Sequence, residues 1–211
     1  TDARFAIGPT QVDPRSGEIL DADIGVSDVW TRNPRRRAVE ELPRPAIGNK
    51  REELQCNYAN EMSSELEFAM DLLEARGDLE PDSAEADAFV QATLKDVITH
   101  EVGHTLGLRH NFRASTIYTL EQMASPEFTK QHGLTASVMD YNGLNVAARG
   151  SKQGEYVMSN LGPYDYWAIE YAYKPINEAY EKVELQKIAA RSAEALALFA
   201  ATVGARVTDR I

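Results

Sequence analysis

The stretch His100-Glu101-Val102-Gly103-His104-Thr105-Leu106-Gly107-Leu108-Arg109-His110 decides how the rest of the chain is read. Two histidines four apart on a helix share one side, a turn apart. Tetrahedral zinc wants neutral imidazole nitrogens at roughly 2.0–2.1 Å, and that spacing offers two. Glu101, beside the first histidine, is placed to act as general base on a water at the metal. Gly107 lets the chain enter a left-handed turn and leave the helix, so that it swings back to deliver His110 as third ligand. A fourth position left open for water is the catalytic arrangement, since structural zinc sites are closed by four protein ligands. Five positions of the string are specified. Chance occurrence is on the order of 10⁻⁵ from average residue frequencies. Three of the four histidines of the chain fall in it, which weighs against an ordinary helix with solvated histidines.

Working outward, the helix carrying the string is expected over about 84–106, with Asp82 or Ser83 as N-cap. Val90, Leu94, Ile98, Val102 and Leu106 form one i, i+4 ridge, expected to pack on a sheet, with the histidines on the other side. Asn60 to Arg76 reads as a helix with Met62, Leu66, Met70 and Leu73 inward and Gly77 as its stop. Further upstream, Ala3 to Ile7 reads as a short strand and Asp13-Pro14-Arg15-Ser16-Gly17 as a turn. Ile19 to Val29 reads as a strand with Leu20, Ala22, Ile24 and Val26 on the buried face. Residues 31–50, with prolines at 34, 43 and 45 and a run Arg35-Arg36-Arg37, read as a long irregular loop. Downstream, Leu120 to Gln131 suggests a short helix capped near Ser125. His132 reads as an exposed, non-ligating histidine. A helix runs from Asp165 to Tyr173 and is ended by Pro175, and Glu178 to Val203 is helical again.

Two further stretches, Ser137-Val138-Met139-Asp140-Tyr141 and Gly162-Pro163-Tyr164-Asp165-Tyr166-Trp167-Ala168-Ile169-Glu170, complete a pattern. With His100 to His110, which matches HExxHxxGxxH at all five fixed positions, they resemble the metzincin clan of zinc peptidases over about residues 97–173. The Met-x-Tyr form is similar to astacins and serralysins, and the Asp-x-x-Ala-Ile helix to serralysins. Asn111 departs from the clan, being neither the usual Asp nor the Glu of astacins. The resemblance implies an α+β metzincin-like zincin. Its upper lobe, 1–108, would hold a twisted mixed sheet with backing helices; its smaller, mainly helical lower lobe, 109–211, would hold the Met-turn 137–141. It implies one catalytic Zn2+ on His100, His104 and His110, with Met139 and Gly107 as the structural floor of the site. Tyr141 would stand near the metal, ligating it or donating to the oxyanion, and Asp165 and Asn111 would support the ligands or the Met-turn by hydrogen bonds. An edge strand before the zinc helix binds substrate in such proteins by β-augmentation, and Ile19–Val29 is the candidate, set against a plain sheet strand.

A chain of 211 residues suits one catalytic domain. At 43% hydrophobic and 26% charged residues it reads as an ordinary globular protein. The net charge of −11 argues against a phosphate binder, which wants a basic face, so no nucleic acid is expected. The acidity between Glu61 and Asp87 is a solvated face. No apolar run approaches the ~18 residues of a membrane span. Cys56 is the single cysteine and has no partner in the chain for a disulfide; nothing in its position suggests a thiol latch. A chain opening on Thr1 is expected to be a processed form or a piece of a longer protein, exported to the periplasm, cell surface or medium, with its signal outside this chain. The function expected is a zinc endopeptidase acting on peptide or protein. The alternatives are a catalytically silent zinc-binding scaffold, or a hydrolase of a non-peptide amide.

Overall fold

The computed structural model describes residues 6–7, 10–26 and 56–193. The start of the first expected strand, the end of the second, the 31–50 loop with its arginines and the chain beyond 193 lie outside the described residues. Two units divide the chain, one comprising 1–14 and 18–105, the other 15–17 and 106–211. Helices with short antiparallel strand pairs make it α+β.

In the first unit, β1 (Ala6–Ile7) pairs with β4 (Gly25–Val26), and β2 (Thr10–Val12) with β3 (Ile19–Ala22). Among the described residues both pairs are antiparallel, whereas a mixed sheet was expected. The turn between β2 and β3 forms as its residues dictate: the Asp13 amide donates to the Glu18 carbonyl at 2.9 Å, and Gly17 takes φ 74°. The single strand expected from Ile19 breaks at Asp23-Ile24. The expected inward face is also corrected, because Leu20 is 62% exposed and Ala22 is exposed too. Asp is a poor strand residue, and the break at Asp23-Ile24 leaves the segment in two separate two-stranded ladders.

Helix α1 (Tyr58–Arg76) buries Met62, Leu66, Met70 and Leu73, the expected stripe. It ends on Gly77 in the left-handed region, whose amide reaches the Glu74 carbonyl while that of Asp78 reaches Leu73. Helix α2 (Ala84–Thr105) starts where Ser83 Oγ accepts from the Ala86 amide at 3.1 Å. Its deepest stripe is not the aliphatic ridge. Val90, Leu94 and Ile98 are half-buried and Val102 is exposed, whereas Phe89, Thr93, Asp96, Val97, His100 and Glu101 are buried. Those residues recur at i, i+3, i+4, so the histidine side is itself a packed helix face. The Tyr58 hydroxyl donates to Asp96 Oδ2 at 3.2 Å and fastens α1 to it.

In the second unit the expected Leu120–Gln131 helix is two helices, α3 (Leu120–Met123) and α4 (Pro126–His132). Pro126 disfavours helix in the residue before it, and Thr119 and Ser125 cap the two pieces separately. Helix α5 (Pro163–Tyr173) is joined to α6 (Glu181–Ala190) by the Trp167 indole donating to the Ile188 carbonyl at 2.8 Å. The core of this unit is Leu134, Val138, Met139 and Met158, with Leu108 and Met123 against it. Gly162 lies so close to Ala136 that a Cβ would stand 1.9 Å from the Ala136 carbonyl oxygen, so only glycine fits.

Candidate metal centre

On α2, His100 and His104 stand one turn apart with ring centroids 4.8 Å from each other and planes nearly perpendicular. His100 is fully buried, its ring 4.5 Å from that of Tyr58. The Tyr58–Asp96 bond therefore braces the element against which this imidazole rests. Cys56, directly before α1, brings Sγ to 3.4 Å from His100 Nε2.

Glu101 is 1% exposed, and its Oε1 has no hydrogen-bond partner. Burial pushes its carboxyl above the ordinary carboxylate range, while His104 and a hydrogen bond with Cys56 pull it partly back. A buried carboxylate oxygen without a partner is costly in a fold, and one beside two imidazoles is suited to exchanging a proton with something held there.

Gly107 has φ 79°, the left-handed conformation expected of it at the end of α2. His110 follows, half-buried, its ring 4.7 Å from Tyr141 in an edge-to-face arrangement. Phe112, with its ring 5.1 Å from Tyr141 and 5.3 Å from His110, completes an aromatic trio. The Asn111 amide donates to the Met139 carbonyl at 2.8 Å, tying the residue after His110 to the methionine segment. The Asn111 side chain is buried, and neither of its amide atoms has a partner.

Met139 is fully buried beneath this segment. Its turn is clamped by Asp165: Ser137 Oγ donates to Oδ1 at 2.6 Å, and the Val138 and Gly162 amides donate to Oδ2 at 3.0 and 2.8 Å. Asp165 thus caps α5 and holds the Met139 turn at once. Burial raises its pKa, with those three donors opposing the shift. Asp140 repeats the device, accepting from the Ser115 amide at 2.6 Å and from the Tyr141 amide at 2.8 Å. His132 is exposed, with its ring 4.5 Å from that of Phe128.

In the first unit, one ligand atom from each of Cys56, His100 and His104 lies within 4.8 Å of the others. The donor set fits zinc: neutral imidazoles and a thiol are borderline-soft ligands, with His100 buried and the others half-buried. The three histidines were expected from their spacing. Cys56 was not, since a lone cysteine far upstream has no sequence relation to them, and Ser137 and Asp140 were overlooked although the turn they sit in was recognised.

Fold and cluster together define a zinc-binding, peptidase-like scaffold. A family profile described as Met-zincin matches residues 82–209, and the chain belongs to that family, in agreement with the metzincin resemblance of its motifs. No curated protein and no solved structure matches the chain. No helix among the described residues is long and apolar enough to cross a membrane.

Proposed function

We propose that the chain is a zinc-dependent endopeptidase in which His100, His104 and His110 hold one ion. The observation that carries this reading is the buried Glu101, with an unpartnered Oε1, adjoining the histidine cluster. Zinc held there supplies Lewis acidity, acidifying the attacking water and polarising the scissile carbonyl. Glu101 takes the water's proton at Oε1 and passes it to the leaving amine, and a carboxyl raised by burial suits both halves of that exchange. Tyr141, beside His110, donates its phenolic proton to the carbonyl oxygen as charge develops there. Met139 packs as an apolar floor, and Asp165 keeps that floor in shape.

Glu101→Gln keeps the volume and the metal ligands and removes the base. The expected result is unchanged zinc content with peptide hydrolysis lowered about 10²–10⁴-fold. Hydrolysis at the wild-type rate would remove Glu101 from the reaction. One observation favours a second reading, a scaffold that holds zinc without catalysis: Cys56 stands among the donors, where an open position was expected. Hydrolysis of a peptide library that a chelator abolishes and zinc restores separates the two.

A further inference from the structure

An exposed phenylalanine stands in the second unit where turn chemistry gives no reason for one. Asn111, Phe112, Arg113 and Ala114 form a tight turn, closed by the Ala114 amide donating to the Asn111 carbonyl at 3.0 Å, with Arg113 at φ −102° and ψ −10°. The tip of such a turn favours Pro or a small polar residue. Phe112 occupies it and is 61% exposed, although its ring lies against two other aromatic rings. We propose that Phe112 is a specificity-determining residue, its ring a shelf for the apolar side chain of a substrate residue flanking the scissile bond. The inference rests on the peptidase reading above and adds the class of peptide that the site prefers.

Three observations carry it. First, the mount is firm. Asn111 and Ala114, at the two ends of the turn, are buried. The Asn111 amide donates to the Met139 carbonyl at 2.8 Å, and the Ala114 carbonyl accepts from the Ala136 amide at 3.0 Å. A ring on such a base loses little freedom when a ligand lands on it. Second, the ring is oriented by its neighbours, edge-to-face with Tyr141 at an interplanar angle of 84° and tilted by 34° to His110. Third, those neighbours are the metal ligand and the proton donor of the proposed reaction. An extended chain advances ~3.3–3.6 Å per residue, so a side chain resting on Phe112 belongs to a residue within one or two positions of the bond being cut. A lone apolar residue on a surface needs no explanation; one held firmly beside the reacting groups is placed to be read by substrate.

Peptide binding to the full chain carrying Glu101→Gln and loaded with zinc tests this without turnover. The probes are short, hydrophilic, fluorescently labelled peptides that differ at a single position, Phe, Leu or Gly, followed by anisotropy. The Phe and Leu peptides should bind about tenfold more tightly than the Gly peptide, as expected for one apolar side chain partly covered by a ring. Adding Phe112→Ala should bring the three affinities within about twofold of one another, with the Gly peptide and the zinc content unaffected, and Phe112→Trp should restore the preference. In the chain with Glu101 intact, Phe112→Ala should raise KM for the apolar peptides and leave kcat in place, the mark of lost uniform binding.

A tenfold preference that survives Phe112→Ala would overturn the shelf. Equal weakening of all three peptides together with loss of zinc would also overturn it, because Phe112 would then be a prop for His110. Failure of the zinc-loaded chain to bind any of the three would overturn it as well. The expected preference in binding, with no hydrolysis of any peptide by the wild-type chain, would overturn the peptidase reading and leave Phe112 as the residue that selects apolar peptides.

Discussion

Replacing Asp165 with alanine takes one acceptor group away from three donors at once, those of Ser137 Oγ and of the Val138 and Gly162 amides. The Ser137 hydroxyl can turn to another acceptor, but the two amides are buried and fixed in direction. A buried donor left unsatisfied costs ~1–3 kcal/mol, so the pair accounts for about 4 kcal/mol. That is a large share of the ~5–15 kcal/mol that holds a typical domain. For a chain of this size each kcal/mol lowers Tm by roughly 2–4 °C, so the melting temperature should fall by about 8–16 °C. Asp165→Asn keeps one acceptor oxygen for the amides and sheds the cost of burying a charge; its loss should be near 1 kcal/mol. Thermal melts followed by circular dichroism, with both variants held in chelator so that metal binding does not contribute, give the comparison. An alanine variant melting within about 2 °C of wild type would refute the claim that this carboxylate organises the Met139 turn.

The same residue predicts a pH dependence. Burial raises the folded pKa of Asp165 above its unfolded value. Its contribution is therefore full below about pH 4 and is lost as pH rises through the raised folded value. The stability of wild type relative to Asp165→Asn should decline over that interval, and a gap that widens instead would show that the three donors outweigh burial. Gly162→Ala forces a Cβ against the Ala136 backbone and should cost at least ~1–3 kcal/mol, read as a lowered denaturation midpoint with an unchanged m-value. Tyr141→Phe should lower kcat by about 10–10³-fold, with zinc content and Tm unchanged; an unaltered kcat excludes the phenol from the reaction. His104→Ala should leave purified protein with less than about a tenth of the wild-type zinc by elemental analysis. Full zinc content in that variant would place the ion elsewhere.

The parts of the fold legible in the sequence are those specified by neighbours along the chain. The i, i+4 spacing of His100 and His104, the stop at Gly77, the turn at Gly17 and the left-handed Gly107 all follow from local geometry and stand where their residues put them. Asp165 was legible as a cap. Its second role, gripping residues 137 and 138, depends on a separation of nearly thirty positions that no periodicity records. The aliphatic ridge of α2 misled for a related reason. Hydrophobic spacing finds a stripe, but which stripe is covered depends on where α1 lies, and the polar face bearing Asp96, His100 and Glu101 is the one that is buried. Leu20 failed in the opposite sense, being apolar, alternating and exposed. Cys56 carried no signal beyond being the single thiol, because its relation to the histidines arises only once α1 and α2 are packed.

Two bonds, Asn111 amide to Met139 carbonyl and Ser115 amide to Asp140 carboxylate, fasten the strip after His110 to the methionine turn at points four residues apart. Strips pinned twice cannot swivel about a single pin. The imidazole of His110 is thereby indexed to the floor as a dial is to its plate, and any drift of the sulfur-lined base is transmitted as a rotation of that ring. Natural variation in the residues beneath Met139 should accordingly tune metal retention in small increments, without any change to the histidines themselves.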